Sequence, residues 1–147
     1  MKLGIAEILE NCSKLGSRNE KIEYLRKNDS QTLRAIFQGA FDPGIVWALP
    51  TGAPPYKPCE FFDQEGRLYQ ETRRLYLFLK DGNPNLTALK RESLFIALLE
   101  SIAPADAKLL VEVKDKKMPF KGITVKLVQE AFPGLIPNHE QASTSEA

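Results

Sequence analysis

Between residues 86 and 114 the chain reads LTALKRESLFIALLESIAPADAKLLVEVK, and this stretch decides the fold. Helical spacing gathers Leu89, Phe95, Ile96, Leu98, Leu99 and Ile102, too many apolar positions for a surface helix. The spacing therefore predicts a core helix from Asn85 or Thr87 to about Ile102. Pro104 suits the first position of a second helix, where its missing amide costs nothing, and Leu109, Leu110 and Val113 face inward. The run Lys114-Asp115-Lys116-Lys117 closes that helix with positive charge at the negative end of its dipole.

Upstream the same period recurs. Leu3, Ile5, Ile8, Leu9, Cys12 and Leu15 fall three and four apart and predict a helix that Gly16 stops. Ser17-Arg18-Asn19-Glu20 has the form of a capping box and opens a short helix carrying Ile22 and Leu25. Asn28-Asp29-Ser30 ends it and caps the next, whose stripe is Leu33, Ile36, Phe37 and Ala40, up to the turn Asp42-Pro43-Gly44. A further helix is expected from Arg67 to about Lys80, with Leu68, Thr72, Leu75, Tyr76 and Leu79 on one face. Lys80-Asp81-Gly82 resembles the lysine motif of nucleotidyl transferases, but no residue separates the lysine from the aspartate, and the tripeptide reads as helix termination. The last helix is expected from about Thr124 to Phe132. Together these give an all-α, compact single domain of about seven helices over residues 1–137, and a disordered polar tail over 138–147.

One region breaks the pattern. From Ile45 to Gly66, Pro50, Pro54, Pro55 and Pro58 remove amide donors and fix backbone angles, so neither a helix nor a central strand fits. A loop this long in a small domain is either a structural wrap or a contact surface. On the second reading Trp47, Tyr56 and Lys57 are its candidate partner-binding residues.

Composition limits the function. With 43% hydrophobic and 27% charged residues the chain is globular in type, and at 147 residues it builds a core without metals or disulfides. No apolar run approaches the roughly 20 residues that cross a bilayer, and Glu7 and Glu10 interrupt any signal-peptide core. Cys12 and Cys59 read as reduced, so a cytoplasmic protein with no membrane partner is expected. The single histidine, His139, lies in the tail, which leaves zinc clusters and nucleophilic triads without their base. No phosphate loop or dinucleotide fingerprint occurs, so no catalytic residue and no cofactor is expected.

The net charge of +1 announces no nucleic-acid binder, but the charge is sorted locally. Lys108, Lys114, Lys116, Lys117, Lys121 and Lys126 share a stretch whose only acids are Glu112 and Asp115. Within it Gly122 lets backbone approach closely, Thr124 offers a hydroxyl at a helix start, and the lysines supply charge for a phosphate. The alternative is plain: an ordinary N-cap, a loop glycine and a solvated face.

Two resemblances bear on that choice. The closing signature Phe132-Pro133-Gly134-Leu135-Ile136-Pro137, preceded by Gly122-Ile123-Thr124, is similar to the end of the N-terminal DNA-binding domain of T-even-type phage ATP-dependent DNA ligases. Ile8-Leu9, Lys21 to Asn28 and Leu33 to Phe41 match the front of that domain more loosely. The resemblance implies a ligase DNA-binding-domain-like helical fold and a grip on the phosphates of double-stranded DNA through Gly122, Thr124 and nearby basic residues. Lys116, Lys117, Lys121 and Lys126 are the basic candidates there, with Arg73 and Arg74 added on charge alone. The sequence carries neither adenylation domain nor OB-fold, so the expectation is duplex grip without nick sealing.

Nearly the full chain also resembles a family of small uncharacterised proteins of T-even-like cyanobacterial phages. The matching stretches are Gly52 to Pro58, Arg73 to Phe78 and Lys114 to Thr124. That likeness implies a non-catalytic phage accessory protein in the cytoplasm of the infected host cell, whose partner is double-stranded DNA or a phage or host protein.

Overall fold

The computed structural model describes residues 3–61, 64–80 and 82–137. Met1, Lys2, Phe62, Asp63, Asp81 and the polar tail from Asn138, with His139, lie outside the described residues. Seven α-helices form among those described: α1 (Ile5–Ser13), α2 (Arg18–Lys27), α3 (Gln31–Phe41), α4 (Arg67–Glu71), α5 (Ala88–Ser101), α6 (Pro104–Lys114) and α7 (Val125–Ala131). The domain is all-α, and its one β-like element among the described residues is an isolated antiparallel bridge between Trp47 and Leu79.

Side chains start four of these helices. Ser17, Ser30, Thr87 and Thr124 each accept a hydrogen bond from the amide three residues on, the local rule that fixes a helix start before any packing occurs. Pro104 takes the first position of α6, as its fixed φ favours. The core then assembles across the helices: α1 packs on α2 and α6, α2 on α7, α3 on α6, and α5 on α6. At its centre Phe37 of α3 is fully buried, with Phe41 and Phe132 at ring-centroid distances of 6.3 Å and 6.1 Å.

Two expectations about helix faces need correction. The helix expected over 67–80 is α4 followed by a 3₁₀ helix, Thr72–Phe78, and Leu79 is extended. The Thr72 hydroxyl turns back to the carbonyls of Leu68 and Tyr69, at the point where the winding tightens. With three residues per turn, Leu75 and Phe78 align inward, and Tyr76, assigned to the apolar face by an α-helical count, is 51% exposed. Phe78 meets Phe95 edge-on at 5.2 Å. Leu89, counted in the core, is 78% exposed in the first turn of α5, whose buried residues begin at Phe95.

The proline-rich segment is a wrap with defined attachments. The Trp47 indole donates to the Gly39 carbonyl at 3.0 Å, and its ring would lie 2.7 Å from a Cβ at residue 39, so only glycine fits there. Ala48 donates to Phe78 and Lys80 to Val46 through the backbone. Further on, the Lys114 ammonium donates to Pro50, the Gly52 amide to Asp115, and the Lys57 amide to Glu100.

Candidate functional site

The basic run from Lys114 to Lys126 separates into two parts. The first is a clip. Lys114 has a side chain only 2% exposed, and its ammonium donates to the Asp115 carboxylate at 2.7 Å and the Pro50 carbonyl at 2.8 Å. Burial pushes the Asp115 carboxyl up, but the bonds from Lys114 and the Gly52 amide, with the charges of Lys114 and Lys117, hold it below its ordinary value. Lys116 adopts φ +61°, which turns its side chain back so that the ammonium donates to the Asp42 carbonyl at the end of α3, at 2.7 Å. Desolvation lowers its pKa, opposed by the charge of Asp42. Lys117 is exposed and belongs to no ion pair among the described residues.

The second part is the entry to α7. Ile123 is buried and anchors the turn, Thr124 caps the helix, and Gly122 holds φ +84°. The Lys21 ammonium, from α2, sits 2.6 Å from where a Cβ on Gly122 would lie. Lys121 and Lys126 are exposed on either side. None of these three lysines is ion-paired among the described residues, whereas two arginines nearby are engaged. Arg18 pairs with Glu130 at 2.6 Å, and Arg26 donates to the carbonyls of Glu130 and Ala131 at the end of α7.

Lys121, Gly122, Thr124 and Lys126 share one short stretch of chain, and the structure brings to its Gly122 the ammonium of Lys21, a residue the sequence reading did not assign to the site. No local signal could have found it, since the α2–α7 packing alone delivers it. Lys116 sits instead at the end of α3. Arg73 and Arg74 lie on the 3₁₀ helix, which packs against α3, α4 and α5. Arg74 approaches Glu71 at 3.6 Å, and Arg73 is exposed without an ion pair among the described residues.

The candidate partner residues also divide. Trp47 lines a cleft of about 570 Å³ with Ile45, Leu75, Tyr76, Leu79 and Leu135, rimmed by the Asp29–Arg34 ion pair. Tyr56 is half-buried against the core and Lys57 is exposed beside Glu60 at 3.6 Å, both in the wrap. Among the described residues no three acidic, cysteine or histidine side chains gather to hold a metal, and no helix is long and apolar enough to cross a membrane.

Fold and surface together define the chain as an all-α domain built around a strapped helical core. A family of unknown function, DUF6433, matches residues 8–119, and the chain belongs to that family. No curated protein matches it.

Proposed function

We propose that this is a non-catalytic accessory module that grips duplex DNA through backbone phosphates at the junction of α2 and α7. The observation that carries the reading is the Lys21 ammonium at the left-handed Gly122, with Lys121 and Lys126 exposed on the adjoining chain and none of the three ion-paired among the described residues. A backbone turn without a Cβ admits a phosphate closely, and unpaired ammonium groups neutralise it without first breaking an internal bond. Contacts of this kind fix register on the duplex and read no base sequence. With a net charge of +1 the attraction is local, so affinity at physiological salt is modest and sequence-neutral. The likeness to the ligase DNA-binding domain and to phage proteins supports the same assignment, an accessory protein acting in the infected cell. Fluorescence anisotropy with a labelled duplex at low salt tests it. Saturable binding that weakens with salt is expected, and no binding at low salt contradicts it.

A second reading rests on the cleft beneath Trp47. Its volume and mixed lining suit an inserted side chain of a protein partner, and Tyr76 stands exposed at its edge. A photo-crosslinker placed at Tyr76 that captures one stoichiometric protein, in a sample treated with nuclease, favours this reading over the first.

A further inference from the structure

α1 begins without a cap of its own. Gly4 precedes it and has no side chain to offer, so the amides of its first turn must be met from another element. Asp106, in the first turn of α6, meets one of them: its Oδ1 accepts from the Ala6 amide at 2.8 Å. The residue is 1% exposed, and its Oδ2 is buried with no hydrogen-bond partner among the described residues. Among the described residues two charges act on it, both negative: Glu65 from the turn before α4 and Glu7 from α1. Tyr69 of α4 lies close by, donating its hydroxyl to the Leu3 carbonyl at 2.7 Å, and its own pKa is raised by burial and by the charge of Asp106.

We infer that Asp106 is a proton-operated latch for α1, holding the start of that helix against α6 more tightly when its carboxyl is neutral than when it is ionised. When the carboxyl is ionised, Oδ2 loses its water, has no donor among the described residues and faces two other carboxylates. A proton removes that penalty and leaves Oδ1 able to keep the Ala6 bond. Burial accordingly pushes the carboxyl from 3.8 up to about 6, with the Ala6 amide opposing and Glu65 and Glu7 adding to the rise. Because the docked value lies above the undocked one, the latch is fully closed below about pH 4 and loosens as pH rises through about 6.

Amide hydrogen exchange on the full chain reads this directly, with α1 protection corrected for intrinsic rates and expressed relative to α5. Protection of α1 is expected to be about tenfold greater at about pH 5 than at about pH 7.5. Asp106→Asn keeps an acceptor for Ala6 and cannot ionise, so it is expected to lose that dependence. Should this variant fail to fold, Glu65→Gln removes one negative neighbour and is expected to move the midpoint to lower pH. A pH-independent ratio in the native chain, the same dependence in Asp106→Asn, or an unmoved midpoint in Glu65→Gln overturns the inference.

Discussion

Lys114 and Lys121 belong to one basic run, yet the first has a nearly inaccessible side chain bonded to Asp115 and Pro50, and the second is exposed and bonded to no acid among the described residues. The difference extends to their neighbours. In the clip of residues 114–117, Asp115 holds the Gly52 amide and Lys116 holds the end of α3, so two of its three lysines are engaged in tying the wrap and α3 to α6. In the turn of residues 120–126, the buried Ile123 does the anchoring and Lys121 and Lys126 are left for solvent or ligand. A basic run in sequence is therefore two devices. One spends charge on backbone carbonyls inside the domain, and the other holds it out.

The largest expected effect breaks the clip. Lys114→Met removes one partner of a buried pair and strands Asp115 and the Pro50 carbonyl, so stability is expected to fall by about 3 kcal/mol in urea unfolding. Duplex affinity of the folded fraction should be unchanged. Next, Gly122→Ala forces a side chain into left-handed backbone and against the Lys21 ammonium, at about 1–2 kcal/mol of stability by the same measurement. This variant sharpens the comparison, because it should weaken DNA binding as well. Lys21→Ala, at a half-buried position, is expected to cost less than about 1 kcal/mol of stability, while lowering duplex affinity about tenfold at low salt in anisotropy titrations.

A further effect, on the same Lys114–Asp115 pair, concerns acid. The folded-state pKa of Asp115 is depressed, so its contribution to stability is present above the ordinary carboxylate range and is lost as pH falls through the folded value. Asp115→Asn should therefore be less stable than the native chain at neutral pH, and the gap should close in thermal melts run below about pH 4. The sign is opposite to that of Asp106, whose carboxyl is raised.

Much of the fold was legible because its signals are local. Serine and threonine caps at Ser17, Ser30 and Thr124, the proline at the start of α6, and apolar spacing in α1, α3 and α5 each act within a turn or two of chain. The 3₁₀ winding after Thr72 was not legible, since periods of 3.0 and 3.6 differ by too little over seven residues to separate without the packing of Leu75 and Phe78. The long loop was recognised from its prolines, with wrap and contact surface both left open, because its attachments at Asp115 and Glu100 join residues far apart in sequence. The candidate site was legible by half. Gly122 and Thr124 stand out from their chemistry, whereas the engagement of Lys116 and the arrival of Lys21 are products of tertiary packing.

The central claim is that Lys21, Lys121 and Lys126 hold phosphate while the clip holds the fold. The salt dependence of duplex binding, compared between the native chain and the triple variant Lys21→Ala, Lys121→Ala, Lys126→Ala, tests it most directly. Three phosphate contacts predict a log–log slope of about −3 for the native chain, falling toward zero in a triple variant that unfolds at an unchanged urea midpoint. A native chain that does not bind, or a triple variant with the native slope, contradicts the account.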